Sequence, residues 1–437
     1  MLKSLTNLML MLANLLIAPE QITLIVVESF YWKSIIRTPR MFENLKPVAI
    51  DPILGLMAAF KADTRTQKID LGVGVYQDDH GRTPVMAAVK EAESRLMELE
   101  TTKSYQGMAG DPEYNQRMMG LLFGEDHRIL TSGRVKSIQA PGGSGALRVG
   151  AEVIRKARPE SKLWIGVPTW PNHIPLLGSA GFEINQYPYY DMASCQINVQ
   201  AMMETLRSVP AGDMVLLHGC CHNPTGADLT HEQWDEVADI ALERGFIPFI
   251  DTAYQGLGDG LNEDAYGMRM MAERLPELVI ASSCSKNFGL YRERTGSITF
   301  IAKSAERADV VVSQAMSTAR SIYSMPPAHG ALLVSMVLGD QDLRSQWQIE
   351  LEEVRLRVKA MRGLLCDSLQ DNDAGMDFSH INRQKGMFSF LGITTPQLER
   401  LRTEFGVYIV SSTRINLAGV NSNNIGYLKQ SLLTVLK

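Results

Sequence analysis

No charge of either sign dominates this chain. Its 43 basic and 48 acidic residues leave a net charge of −5, which offers no electrostatic case for nucleic acid or an anionic membrane surface. Cysteine is scarce: Cys195, Cys220, Cys221, Cys284 and Cys366 are the five in the chain. An odd count without ligand spacing argues against a disulfide framework and for reduced thiols in a reducing compartment. Cys220 and Cys221 are adjacent and make a poor disulfide pair. His218, Cys220, Cys221 and His222 crowd together too closely in sequence to surround zinc tetrahedrally without strain, so no metal is expected. There are no repeats, no low-complexity linker and no apolar run long enough to span a bilayer.

What is present is an ordinary globular composition, 45% hydrophobic and 21% charged over 437 residues. That length allows one large or two ordinary domains. Residues 1–40 differ from the rest. Ser4 to Ala18 is uncharged and rich in Leu and Met, Pro19-Glu20 interrupts it, and a second apolar patch follows from Ile22 to Val27. Leu16-Ile17-Ala18 is a poor signal-cleavage triplet. A mitochondrial leader would use Arg37 and Arg40 but is opposed by Glu20 and Glu28. The favoured reading is an extension from a start set upstream of the true one, with normal soluble sequence from Met41.

Helices are expected from Pro52 to Ala62 behind an Asp cap, over Met86–Leu99, and over Glu113–Phe123. From Val135 short apolar runs alternate with helical stretches. The runs are Leu163–Val167, Met214–Leu217, Ile247–Ile250, Val279–Ala281 and Ser297–Ile301. The helices include Ala146–Ala157, Val199–Arg207 and Thr230–Arg244, the last opening on Thr230 and Gln233 as a capping box. This alternation predicts an α/β fold, a mostly parallel sheet covered by helices, with ligands beyond the carboxyl ends of the strands. A long helix over Asp342–Gln370 leads to a smaller α+β domain, with strands at Gly386–Leu391 and around Tyr408 and Ile415, and helices at Pro396–Phe405 and from Asn424. The boundaries expected are 41–85 with the small domain, 86–340 for the large domain and 341–437 for the small one.

The chemistry-bearing residues fall at the strand ends. Pro141-Gly142-Gly143-Ser144-Gly145 follows a strand and opens a helix, the arrangement whose free N–H groups bind phosphate. Trp170 sits just past a strand, where an indole can stack on a flat ring. Asn223, in Asn223-Pro224-Thr225-Gly226, can donate an amide to a phenolic oxygen. Asp251 ends a buried strand and needs a cationic partner; Tyr254 follows three residues later. Lys286 lies among Ser282, Ser283 and Ser285, where a desolvated amine can form a Schiff base with an aldehyde cofactor. Arg294, Arg320 and Arg414 are arginines suited to phosphate or carboxylate. Singly, each has an ordinary reading as a turn, a cap, a core ring or a surface charge.

Together, His218 to Gly226, Asp251-Thr252-Ala253-Tyr254-Gln255-Gly256 and Ser285-Lys286-Asn287-Phe288-Gly289-Leu290-Tyr291 with Arg294 resemble the class I pyridoxal-phosphate aminotransferases, aspartate/aromatic branch. The likeness runs from about Met41 to Lys437. It implies the type I fold of pyridoxal-phosphate enzymes, pyridoxal 5'-phosphate as cofactor, and transfer of an amino group from aspartate to 2-oxoglutarate by a ping-pong cycle. It implies that Lys286 carries the cofactor and moves the proton, that Asp251 keeps the pyridine nitrogen protonated, and that Tyr254 and Asn223 bond the ring oxygen. Trp170 would stack on the ring, with His173 and His218 supporting Asp251. Gly143, Ser144, Ser283 and Arg294 would hold the phosphate, joined by Tyr105 from a partner subunit. Arg414 would take the substrate's α-carboxylate, with Gly74, Trp170 and Asn223 nearby, and Arg320 of the partner the distal carboxylate. Shared sites imply a homodimer.

Gly219, Val75 and Thr83 look like the aspartate enzymes, and Ser144 like the aromatic ones; aromatic amino acids stay open as main or second substrates, as does another reaction on the same fold. No complete dinucleotide fingerprint and no basic DNA-binding module accompany these motifs. Neither nucleic acid nor membrane is expected as a partner. The expected location is the cytoplasm, or mitochondria if residues 1–40 are a leader.

Overall fold

The computed structural model describes residues 41–48, 51–370, 372 and 374–437. The reading of residues 1–40 as an extension lies outside them. Met1–Asp51 and Pro52–Lys437 are separate units; the account below concerns the second.

Its strands are β1 (Ile69–Asp70), β2 (Val135–Pro141), β3 (Leu163–Val167), β4 (Ile184–Pro188), β5 (Tyr190–Asp191), β6 (Gln196–Ile197), β7 (Met214–His218), β8 (Ile247–Thr252), β9 (Leu278–Ser283), β10 (Thr295–Ile301), β11 (Phe388–Phe390), β12 (Val407–Tyr408) and β13 (Arg414–Asn416). Seven form the central sheet in the order β2-β10-β9-β8-β7-β3-β4. β10 is antiparallel to both neighbours and the other pairings are parallel. The mostly parallel sheet read from the sequence is therefore present, and all strands except β10 run the same way.

Alternation along each strand splits its apolar residues between two cores. Val215, Leu217, Ile250 and Ile280 join one buried cluster, and Met214, Leu216, Phe249 and Val279 another. Burial on both faces explains why these strands are unbroken Val/Ile/Leu runs. Helix ends follow their sequence signals. Thr230 and Gln233 form the expected capping box at the start of His231–Arg244, which stops at Gly245 in the left-handed conformation. Thr394 and Gln397 do the same for Thr395–Phe405.

The structure corrects several boundaries. The helix expected from Ala146 begins at Gly142, directly after β2. β4 was not expected, since Ile-Asn-Gln-Tyr-Pro at the sheet edge carries little apolar signal. The helices Tyr266–Arg274, Ala305–Ile322 and Ala328–Gly339 were also unread. The long helix spans Gln341–Ser368, opened by the Asp340 side chain accepting from the Asp342 and Leu343 amides. Its Trp347 is buried and stacks on Phe288, centroids 4.5 Å apart, and donates Nε1 to the Asn287 carbonyl at 2.7 Å. The helix thereby pins the loop that follows Lys286.

A further cluster joins Ile69 and Leu71 to Leu365, Leu401, Ile415 and Leu432. It forms where β1 pairs in parallel with β12 and β11 in antiparallel with β13. Among the described residues no helix is long and apolar enough to cross a membrane, and all five cysteines are unpaired.

Candidate active site

Five strands, β2, β3, β7, β8 and β9, point their carboxyl ends at one cavity of about 260 Å³. Register decides which residues meet there. β7 and β8 pair His218 with Asp251, and β8 and β9 pair Asp251 with Ala281 and Thr252 with Ser282. The chain beyond each end then supplies side chains to the cavity. Its walls include Gly74, Gly143, Ser144, Trp170, Asn223, Asp251, Tyr254, Ser283, Lys286, Arg294 and Arg414. Of the catalytic, cofactor-binding and substrate-binding residues read from the sequence, Tyr105 and Arg320 do not line it; His173, read as support for Asp251, lies behind that carboxylate. Tyr105 is 93% exposed, and Arg320 sits on the exposed part of Ala305–Ile322, donating to Ser324 Oγ.

Lys286 is half-buried, its Nζ 4.8 Å from the centre of the Tyr254 ring. Loss of solvation lowers its pKa to about 8; Asp251 opposes the shift, and Arg294 and Arg414 add to it. Burial by itself raises the Asp251 carboxyl, but the His173 hydrogen bond and the surrounding positive charge carry it below the ordinary range. His173 Nε2 lies 3.0 Å from Asp251 Oδ2, and His173 Nδ1 lies 2.8 Å from Thr169 Oγ1. Thr169 Oγ1 in turn lies 3.1 Å from His218 Nε2. One assignment satisfies all three: His218 donates to Thr169, Thr169 to His173, and His173 to the carboxylate. Burial, helped by His173, pushes His218 down to about 3, so it is uncharged. Asp251 thus stays ionised and held in place at the cavity floor.

Tyr254 and Asn223 face each other, the Asn223 amide nitrogen 3.4 Å from the Tyr254 hydroxyl. Burial raises the Tyr254 hydroxyl well above its usual value despite the Arg414 charge. Arg414 is buried; Nη2 donates to the Gly72 carbonyl at 2.6 Å, Nη1 reaches Asn223 Oδ1 at 3.4 Å, and the Phe388 ring lies 4.3 Å below. Its Nε has no hydrogen-bond partner. A buried unpaired N–H on a cation is what a carboxylate would satisfy.

At the other side of the cavity, the helix Gly142–Ala157 starts with no side-chain cap, so its first amides are free. Gly142 adopts φ +67°, and a Cβ there would come within 2.4 Å of Arg294 Nη2. Only glycine lets the guanidinium approach this helix end. Arg294 itself has a positive φ of 55°, an uncommon strain for a non-glycine residue and one that aims its side chain at the site. Ser283 Oγ lies beside it in the same cavity and donates to Ser285 Oγ at 3.0 Å. The cavity thus holds Lys286, Arg294 and Arg414 against Asp251, three cations to one anion.

Three contributors escaped the sequence reading. Phe388, Tyr291 and Thr169 each shape the site. Tyr291 stood inside the quoted motif, and its hydroxyl accepts the Tyr76 amide at 2.9 Å. Thr169 stood beside Trp170. Phe388 had no local signal at all.

Residues 66–432 match the family model for "Aminotransferase class I and II". The chain belongs to this family. It is 48% identical over 396 residues to an aspartate aminotransferase of Haemophilus influenzae, covering 91% of this chain and 100% of that protein. It is 45% identical to an aromatic-amino-acid aminotransferase of Paracoccus denitrificans, covering 90% and 100%. Among solved structures it resembles an aromatic-amino-acid aminotransferase of Burkholderia pseudomallei covalently bound to pyridoxal phosphate, with TM-score 0.89, 41% identity and coverage of 91% and 100%. The cytoplasmic aspartate aminotransferase of Saccharomyces cerevisiae gives TM-score 0.88 at 33% identity, covering 91% and 98%. The residues of this aminotransferase suit that cofactor. Uncapped helix amides, Ser283 and Arg294 offer a phosphate cradle, Lys286 an amine of lowered pKa, and Asp251 a fixed carboxylate.

Proposed function

We propose that this chain is a pyridoxal-phosphate-dependent aminotransferase that moves the amino group of aspartate to 2-oxoglutarate, with aromatic amino acids as a second substrate class. The observation that carries this reading is the placement of Arg414, with its unpaired Nε, in the same cavity as Lys286 and Asp251. Relatives named for aspartate and for aromatic amino acids, at 48% and 45% identity, support both halves of it.

Gly143, Ser144, Ser283 and Arg294 would hold the cofactor's phosphate, Trp170 would cover its ring, and Asn223 and Tyr254 would bond its ring oxygen. Bound pyridoxal phosphate supplies the electron sink that makes the Cα–H of an amino acid acidic. Lys286 Nζ takes that proton and returns it on the other side of the transfer. Asp251 would hold a proton on the pyridine nitrogen of the bound cofactor, and the His218–Thr169–His173 chain holds the carboxylate in place. Arg414 orients the substrate by its α-carboxylate. Two half-reactions on one site predict ping-pong kinetics.

Tyr105 and Arg320 act in a homodimer, each reaching the site of the other subunit. Their absence from their own cavity supports this, as does the exposed apolar surface at Val85, Met97 and Leu99. The region around the cluster of Ile69, Leu71 and the C-terminal elements serves as the smaller domain. Five unpaired thiols support a reducing compartment, the cytoplasm.

The test is a half-reaction on purified protein. Aspartate, then separately phenylalanine, is added without keto acid, and the visible band of the lysine-bound cofactor is followed. Conversion by aspartate at far lower concentration is expected. Equal conversion by phenylalanine would move the preference to aromatic substrates, and no conversion by either would end the proposal.

The lowered pKa of Lys286 predicts how the cofactor loads. The neutral amine is the nucleophile, so the rate of uptake of pyridoxal phosphate by the apoenzyme rises with pH through about 8 and then levels off. An ordinary lysine near 10.4 would have only about 1/125 of this neutral fraction at pH 8 and would keep gaining up to pH 10. Stopped-flow mixing across pH 6.5–10, a range of about 3.5 units around the usual amine values, distinguishes the two curves.

A further inference from the structure

A second cavity, of about 170 Å³, opens between the helix Gln341–Ser368 and the segment 382–386, which begins in the last turn of the helix Ser379–Arg383. It shares no lining residue with the Lys286 cavity. Its cationic side chains are Arg355, Lys359, Arg362, Arg383 and Lys385, against the single carboxylate Asp259. In a chain of net charge −5 this is a local concentration of positive charge. Two of the cations are neutralised, Arg355 by Glu352 and Lys385 by Asp259, both at 2.5 Å.

The other three form no ion pair among the described residues. Lys359 and Arg383 stand at the exposed rim; Arg383 Nη1 donates to Ser379 Oγ at 2.6 Å. Arg362 is 2% exposed, and its guanidinium donates to the main-chain carbonyls of Ile381, Lys385, Gly386 and Phe388, with no carboxylate among its partners. Burial lowers its pKa to about 10, which still leaves it charged at neutral pH. The charge of Asp228 acts on this guanidinium without a hydrogen bond to it, so its direct partners are main-chain dipoles.

We propose that this cavity binds a small oxyanion of the phosphate type, held between Lys359 and Arg383 at the rim and the buried Arg362. The Arg383 guanidinium and the Lys359 ammonium line one small space, with the carbonyl-bound Arg362 adding positive charge behind them, and this suits the oxygens of a tetrahedral anion. The occupant offsets the positive charge of this rim and ties the long helix to the segment leading into Phe388, the ring beneath Arg414.

The probe is labelled inorganic phosphate, in equilibrium dialysis against the cofactor-loaded enzyme at fixed ionic strength. Saturable binding of about one phosphate per chain is expected, with competition by sulfate and none by chloride. Lys359→Ala/Arg383→Ala, which alters only rim side chains, weakens it about tenfold or more while the visible cofactor band is retained. Stronger competition by succinate than by sulfate overturns the phosphate-type assignment. Absence of bound phosphate, or binding unchanged in the double variant, overturns the proposal.

Discussion

Lys286→Ala lowers the aspartate half-reaction by about 10⁴-fold or more. The size follows from the lack of a substitute base. Tyr254 is the nearest ring to Nζ, at 4.8 Å, but burial raises its hydroxyl well above the usual range, so it is not ionised at neutral pH. Asp251 is engaged by His173, and its pKa is depressed, which makes it a weak proton acceptor. His218, pushed down to about 3, is a weak base as well. The phosphate cradle at the start of Gly142–Ala157 does not involve Lys286, so the variant still takes up cofactor without the covalent link. The check is a single-turnover measurement with aspartate, alongside the visible spectrum of the loaded variant. A rate within tenfold of wild type would remove Lys286 from the proton transfer.

The second large effect belongs to Arg414. Arg414→Lys keeps the charge but removes the planar fork that can grip a carboxylate with two N–H groups. The native guanidinium is already fixed by Gly72, Asn223 and the face of Phe388, so its unpaired Nε is oriented before substrate arrives. An ammonium on a flexible stem has no such preset geometry. Losing two charge-assisted hydrogen bonds predicts a drop of about 10²–10³ in kcat/KM. Aspartate and phenylalanine both carry an α-carboxylate, so both should suffer nearly equally. A loss confined to aspartate would reassign Arg414 to the distal carboxylate and leave the α-carboxylate to another residue.

The legible part of this site is the part encoded by strand ends. His218–Gly226, Asp251–Gly256 and Ser283–Arg294 each place their polar residues within a few positions of a buried apolar run. A parallel sheet then brings those ends together whatever the intervening helices do. Phe388 was illegible because its role comes from tertiary contact with Arg414 and Tyr254, not from its neighbours in sequence. The early start of the helix at Gly142 was missed because glycines read as a turn; here the left-handed Gly142 serves as the joint between β2 and the helix. β4 was missed for an opposite reason. At the sheet edge it has only one neighbour, β3, and tolerates Asn and Gln that an interior strand would not.

The bond from Arg414 to the Gly72 carbonyl joins residues 342 positions apart, next to the parallel pairing of β1 with β12. During synthesis the cofactor-facing strands can collapse while Arg414 is still inside the ribosome, but the carboxylate grip cannot exist until the last segment emerges and finds the first. Loop closure over such a span is slow to nucleate. On that order of emergence, the Lys286 side of the cavity can form before the Arg414 side is available.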